Sequence, residues 1–136
     1  MAAGKRVPAP RRQSRFHLGK AHEFLEASRG AEAAGLNDAA LSAAIHAGVC
    51  AADAVCSALA GTRSADPDHT KAADLLEELG GAEAKAHAAQ LRRLVSKKHE
   101  VEYTARRSSA RDAADAIKRA QRLVAWASAV VENAGL

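Results

Sequence analysis

The chain has 136 residues, enough for one domain with a substantial hydrophobic core. Alanine fills 36 positions and aromatic residues make up only 3%, a composition that favours helix almost throughout and excludes a predominantly β protein. The formal net charge is +4, and residues 1–12 carry this entire excess through Lys5, Arg6, Arg11 and Arg12. The rest of the chain is therefore neutral overall, which is not typical of a domain that binds nucleic acid by bulk positive charge.

The basic N-terminal segment also contains Pro8 and Pro10. This composition predicts a disordered basic tail over residues 1–13 that keeps the protein soluble. An arm that contacts RNA is the alternative, because clustered Lys and Arg side chains neutralise phosphates.

Two long helices are predicted next. The first spans residues 14–34, and Gly35 is a suitable stop. The second begins at Asn37 or Asp38 and reaches Leu59, where Gly61 ends it. Because the second helix is apolar on nearly all sides, we expect it to be the central, most buried helix.

Polar residues on the second helix follow one narrow line: Ser42, His46, Asp53 and Ser57. They are either satisfied polar groups that face a neighbouring element or solvent, or a stripe that borders a cleft between subunits. Cys50 and Cys56, six residues apart on the same helix, would lie about 9 Å apart along its axis, too far for a disulfide. We therefore predict reduced thiols and a cytoplasmic protein.

We expect no membrane partner, because no apolar run reaches membrane-spanning length on this interpretation and the N-terminus lacks the apolar region of a signal peptide.

The second half of the chain predicts a loop over 61–67, a short third helix from Asp66-Pro67-Asp68 to Gly80-Gly81, and a fourth helix over 82–104. Ser108-Ser109 cap a fifth helix that reaches about Asn133, with apolar residues at three- and four-residue intervals. The predicted fold is therefore all-α, an antiparallel up-down bundle of four long helices plus one short helix.

One flank of the fourth predicted helix groups residues with a specific chemistry. On an ideal helix Arg92, Ser96, His99 and Tyr103 lie at i, i+4, i+7 and i+11, whereas Arg93 lies about 120° away from His99. A guanidinium, a hydroxyl, an imidazole and a phenol at the border of the core suit the binding of a phosphate and the movement of a proton.

Other ligands are not indicated. No His follows a Glu at the Glu-x-x-His spacing of di-iron bundles, the two Cys residues lack zinc-site spacing, and no Gly-rich phosphate loop is present. We expect no metal and no cofactor.

The stretch from Asn37 to Leu79 resembles the HEPN domain, a helical-bundle family of prokaryotic toxins and defence proteins. Three segments carry the likeness: Ala51-Ala52-Asp53-Ala54-Val55, then Leu59-Ala60-Gly61, then Asp68-His69-Thr70-Lys71-Ala72-Ala73-Asp74-Leu75-Leu76, the last resembling the family's entry into its short helix. The resemblance covers roughly residues 14–133 and implies one HEPN-like bundle domain there.

Catalytic HEPN members carry an Arg, then four to six residues, then a His. Arg92 and Arg93 with His99 fit that spacing and lie late in the bundle, where the family places its motif. Arg–His pairs elsewhere in the chain also fit the spacing: Arg11 or Arg12 with His17, Arg15 with His22, and Arg63 with His69.

The resemblance implies a homodimer in which His99 moves the 2′-hydroxyl proton of RNA while Arg92 or Arg93 stabilises the phosphate. Tyr103, Ser96, Lys97 and Lys98 would bind the substrate. A toxin of this kind is expected to pair with a nucleotidyltransferase antitoxin.

Three hypotheses follow. The first is a metal-independent endoribonuclease of toxin or defence type. The second is a catalytically silent HEPN-like dimer that binds a nucleotide, RNA or a protein partner, with Arg92 and Tyr103 lining the groove. The third is a helical assembly protein with no polar ligand.

Overall fold

The computed structural model describes residues 4–136, apart from the side chains of His99 and Glu102. Its elements, in chain order, are β1 Arg6–Pro8, a 3₁₀ turn Arg11–Gln13, α1 Ser14–Ala33, α2 Asn37–Ala60, β2 Thr62–Ser64, α3 Thr70–Val95, α4 Lys98–Tyr103 and α5 Ala110–Asn133. The all-α class is confirmed, with one small two-stranded sheet added to it.

Helix α2 lies at the centre of the bundle and packs against α1, α3 and α5. Its buried surface consists largely of small residues, which let the neighbouring helices approach closely. Gly48 marks the tightest approach: a Cβ built there would lie 2.5 Å from Leu94 Cδ2 and 3.3 Å from Leu91 Cδ1. The prediction of a central second helix is confirmed by its position.

The same helix is long and apolar enough to cross a membrane, judged by length and composition alone. Residues Asn37–Ala60 reach a mean hydropathy of 1.6 over a window that is 61% buried inside the molecule. The expectation that no apolar run has spanning length was therefore wrong for α2. Its burial is that of the core helix of a globular domain.

The predicted break at Gly80-Gly81 occurs at Gly81, whose φ of 65° and ψ of −148° are not helical. Helical geometry resumes immediately, so α3 consists of two arms joined at Gly81, which correspond to the predicted third helix and the start of the predicted fourth helix. Only glycine adopts this backbone conformation without a steric cost, which is why the chain turns at that residue.

The fourth predicted helix ends earlier than expected, and the bundle therefore differs from four long helices plus one short one. Regular α-helix stops at Val95, Ser96 and Lys97 form a turn, and α4 is a separate six-residue helix. The Ser96 hydroxyl donates to the carbonyl of Arg93 at 2.7 Å. Serine side chains that bond to a nearby carbonyl in this way often bend helices, although Ser28 makes the same bond within α1 without a break.

The N-terminal segment also differs from its prediction as a disordered tail, because residues 6–13 are ordered. Strand β1 pairs antiparallel with β2 in the register Arg6↔Ser64, Val7↔Arg63 and Pro8↔Thr62. Residues 1–3 of the predicted tail lie outside the described part of the chain.

The segment after β1 is fixed to the end of α2. The Ser57 hydroxyl lies 2.9 Å from the carbonyl of Ala9 and 3.1 Å from that of Pro10. Arg11 Nε donates to the carbonyl of Ala58 at 2.7 Å, and Ala9 is 3% exposed. A proline-containing segment gains order here through contacts with residues almost fifty positions away.

We predict that Gly48→Ala destabilises the protein by about 1–2 kcal/mol, because the overpacking cost exceeds the gain in helix propensity. Leu94 is 1% exposed and has little room to move away from the new methyl group. The matched control is Gly19→Ala in α1, where a Cβ meets nothing within 4 Å, and it should stabilise by about 0.5–1 kcal/mol. Urea unfolding of both variants measures the difference, and a Gly48→Ala variant as stable as the wild type would contradict the proposed close packing.

Candidate functional site

A surface pocket of about 190 Å³ lies between the start of α3 and the short helix α4. Two elements supply its lining: the loop that leads into α3, and the end of α3 followed by α4. The lining residues are Pro67, Asp68, His69, Thr70, Val95, Lys98 and Tyr103. Two of them, Lys98 and Tyr103, belong to the residues that the sequence predicted to bind substrate.

The loop side of the pocket is held by a local hydrogen-bond pattern. Asp68 Oδ1 accepts from the Thr70 hydroxyl at 2.7 Å and from the Thr70 backbone N–H at 3.0 Å. The side-chain hydrogen bond from Thr70, followed by the backbone one, lowers the pKa of Asp68 below its ordinary value. Asp68 is therefore an anion at neutral pH, and it fixes the first turn of α3.

The α4 side of the pocket carries Tyr103, which is 68% exposed, and Lys98. Helix α4 is anchored to the bundle through Val101, which packs against the core. His99 lies on α4 between the two pocket residues, but its side chain is outside the described part of the structure. The backbone thus places His99 next to the pocket.

Arg92 lies on a different face of the molecule. Its guanidinium donates to Asp74 Oδ1 and to Glu77 Oε2, both at 2.9 Å, and these hydrogen bonds raise the pKa of Arg92. Asp74 and Glu77 belong to the first arm of α3 and Arg92 to the second. Arg92 therefore ties the two arms together across the break at Gly81.

A second surface cavity, of about 370 Å³, adjoins this cluster and is lined by Arg92, Asp74, Glu77 and Glu78. Glu78 also pairs with Arg6 of β1. Three carboxylates and one guanidinium line the cavity, so it does not favour a phosphate.

The predicted shared flank of Arg92, Ser96, His99 and Tyr103 depends on one continuous helix. Regular α-helix instead stops at Val95, and Ser96 and Lys97 form a turn before α4. Arg92 and Tyr103 line different cavities, so the structure brings Tyr103 to a pocket that does not include Arg92.

The remaining predicted residues lie on the turn itself. Arg93 is exposed, and its guanidinium has no hydrogen-bond or ion-pair partner among the side chains that the structure describes. The Ser96 hydroxyl is already donated to the Arg93 carbonyl. Lys97 is half-buried at the start of α4. Arg93 is thus the arginine of the predicted pair whose guanidinium remains available to a ligand.

Sequence reasoning did not select Asp68, His69 or Thr70 as site residues. They lie about thirty residues before α4, and only the turn between the two arms of α3 brings them to it. The signal for them was present in the Asp68-His69-Thr70 entry to α3, which is one of the segments that carry the family likeness.

The polar line on α2 mostly contacts neighbours within the chain. Ser57 contacts the N-terminal segment. The His46 ring stacks on Phe24, with centroids 5.2 Å apart. Burial raises the pKa of Asp53 to about 7, although the positive charges of Arg63 and Lys20 oppose that shift.

The two thiols on α2 are free, and burial raises the pKa of Cys50 to about 11 and that of Cys56 to about 12. Both are neutral at physiological pH. Among the side chains described, no three His, Cys, Asp or Glu groups come together in a set that could hold a metal ion.

Comparison with known families gives one match: a model described as the HEPN domain covers residues 14–130. The matched region includes α1 to α4, nearly all of α5, both cavities and every predicted site residue. Curated proteins and solved structures give no match.

We predict that Arg92→Ala lowers the free energy of unfolding by about 1–2 kcal/mol, a value reduced for partial solvent screening since the Arg92 side chain is 34% exposed. The thermal midpoint should fall by about 3–7 °C. Arg93→Ala is the matched control on the adjacent position and should stay within about 0.5 kcal/mol of the wild type. Equal losses in the two variants would show that the Arg92 ion pairs do not hold the arms of α3 together.

The raised pKa of Asp53 predicts that the stability of the fold depends on pH. Its folded pKa of about 7 lies above the ordinary value of 3.8, so between these pH values the folded state binds more protons than the unfolded state. The free energy of unfolding should therefore decrease as pH rises from about 4 to 7. Asp53→Asn, a neutral isostere, should match the wild type near pH 4 and exceed it in stability at pH 8, as measured by urea unfolding at both pH values. A variant less stable than the wild type at pH 8 would mean that attraction to Arg63 and Lys20 outweighs the burial cost.

Proposed function

We propose that this chain, which belongs to the HEPN domain family, acts on RNA at the surface formed by Arg93, α4 and the pocket that α4 borders. Membership supports a function related to RNA or nucleotides in general. The specific activity that we propose is metal-independent endonucleolytic cleavage, of the kind used by toxins and defence proteins.

The observation that carries this proposal is the position of Arg93. It is an exposed guanidinium on the last turn of α3, directly before the turn that leads to α4. A cation without a protein partner is the group expected for binding a phosphate, because a guanidinium donates two parallel hydrogen bonds to phosphate oxygens.

The proposed reaction uses the nucleophile within the substrate. His99 would accept the proton of a 2′-hydroxyl, whose oxygen attacks the adjacent phosphorus. The bond from phosphorus to the 5′-oxygen of the next nucleotide breaks, and that oxygen takes up a proton from water as it leaves, while His99 returns its proton to the solvent. Arg93 would stabilise the charge that develops on the phosphoryl oxygens. The products are a 2′,3′-cyclic phosphate and a 5′-hydroxyl.

The proposed active form is a homodimer in which the α4 helices of the two copies border a common groove. The exposure of Tyr103 on α4, 68%, supports this arrangement, since Tyr side chains are enriched at protein interfaces. If the protein is a toxin, a nucleotidyltransferase antitoxin is the partner that we propose for it. A cytoplasmic location stays a prediction.

The alternative is a catalytically silent module that binds RNA, a nucleotide or a protein partner. One observation favours it: Arg92, which the ideal-helix geometry favoured as the active arginine, is engaged by two carboxylates of its own chain. In this case the chain would have the Arg–His spacing of the family without cleaving RNA. Family membership alone does not establish activity.

We predict that the purified protein cleaves single-stranded RNA in the presence of EDTA, leaving 2′,3′-cyclic phosphate ends. His99→Ala should abolish cleavage. Arg93→Ala should slow it by at least about tenfold, because a contact to the charge in the transition state is typically worth more than 1.4 kcal/mol. Mapping of the 3′ ends and rates under single-turnover conditions measure both effects.

The control for folding is thermal unfolding of both variants, which should match that of the wild type. Wild-type protein that binds RNA without cutting it would establish the silent alternative. Full activity in Arg93→Ala would show that Arg93 does not stabilise the phosphoryl oxygens during cleavage.

A further inference from the structure

The pocket between the loop 67–70 and α4 differs in character from Arg93, the exposed cation that is not among its lining residues. Its lining contains two ring side chains, His69 and Tyr103, from two different elements. Pro67 and Val95 add apolar surface. A pocket with this composition resembles the sites that bind unstacked bases, which lie against aromatic and apolar side chains.

The charges of the lining argue against a phosphate as its occupant. Lys98 contributes one positive charge and Asp68 one negative charge, and the hydrogen bonds from Thr70 keep Asp68 ionised at neutral pH. An anion would meet a carboxylate at the pocket wall, whereas a neutral planar group would not. The phosphate and the base are therefore expected at separate places, the first near Arg93 and the second in the pocket.

Asp68 also presents a group that distinguishes between bases. Its Oδ1 accepts both hydrogen bonds from Thr70, while Oδ2 has no hydrogen-bond partner among the described residues. A carboxylate oxygen accepts from the exocyclic amino group of adenine, cytosine or guanine. Uracil has no amino group, and its one donor on that edge, the ring N3–H, lies between two carbonyl oxygens that a carboxylate repels.

We propose that this pocket holds one unpaired nucleobase of the RNA, with its ring against Tyr103 and His69 and its amino group on Asp68 Oδ2. The proposal rests on the RNA-directed function above and adds a base preference to it. Bases that carry an exocyclic amino group are favoured over uracil.

The test uses the full chain and short single-stranded RNAs with 2′-O-methyl groups, which remove the nucleophile so that binding is measured without cleavage. Four probes differ at one central position: adenine, cytosine, uracil or an abasic residue. The wild type should bind the adenine and cytosine probes at least about fivefold more tightly than the uracil probe, and the abasic probe most weakly.

Tyr103→Ala should weaken binding of the adenine probe by about tenfold and leave the abasic probe unchanged, because stacking of one base is lost. Tyr103→Phe keeps the ring and should behave as the wild type.

A second variant addresses Asp68. In Asp68→Asn the amide oxygen can still accept from Thr70 while the amide NH₂ replaces the free carboxylate oxygen, so the preference should shift from adenine toward uracil, whose carbonyl accepts. Circular dichroism should show unchanged helix content in all variants.

Equal binding of the four probes, or an unchanged affinity of Tyr103→Ala for the adenine probe, would overturn the proposal. Failure to bind any probe would overturn both the base pocket and the RNA-directed function. Base-dependent binding without cleavage of unmodified RNA would leave the base pocket in place and remove only the nuclease activity.

Discussion

Close packing around α2 is the constraint on which the rest of the molecule depends. Its buried surface is made largely of alanines, with Gly48 where Leu91 and Leu94 of α3 and Leu123 of α5 approach. Small residues on one central helix allow three neighbouring helices to lie near it simultaneously. That arrangement fixes the second arm of α3, and the position of this arm in turn fixes where α4 begins.

The two consecutive arginines at the end of α3 differ in their surroundings. Arg92 faces the first arm and is neutralised by Asp74 and Glu77. Arg93, about 100° further around the helix, is exposed and has no described partner for its guanidinium. The spacing between Arg and His fits both residues. The carboxylates beside Arg92 disfavour a phosphate at its guanidinium, whereas no described carboxylate pairs with Arg93.

Sequence periodicity predicted the existence and approximate limits of α1, α2 and α5, because each has a long apolar pattern with a start or stop residue. Ser109 forms the expected cap of α5, in a capping box with Asp112. The break at Gly81 was also predictable, because consecutive glycines weaken a helix. The early end of α3 was not, because the sequence gives no local signal for it: Ser96 bonds to the carbonyl three residues before it, but Ser28 makes the same bond within unbroken α1.

Non-local contacts account for the other differences. Order in the N-terminal segment depends on β2 and on Ser57, which lie about fifty residues away, so local composition pointed to disorder instead. The pocket could not be predicted for the same reason: His69 and Tyr103 are far apart in the sequence, and the path of α3 brings them together. Lys98 and Tyr103 could be selected because Lys98 lies within the Arg–His motif and Tyr103 lies four residues after it. His69 could be selected only as part of a family likeness.

The most direct test of this account is the location of RNA on the protein. Titration of ¹⁵N-labelled protein with a single-stranded RNA carrying 2′-O-methyl groups reports backbone amide shifts residue by residue. The account predicts that the largest shifts occur over residues 67–70 and 93–103, with little change over 74–78, where Arg92 meets its carboxylates. Shifts concentrated in the basic segment 4–13, or on the face of Asp74 and Glu77, would contradict it.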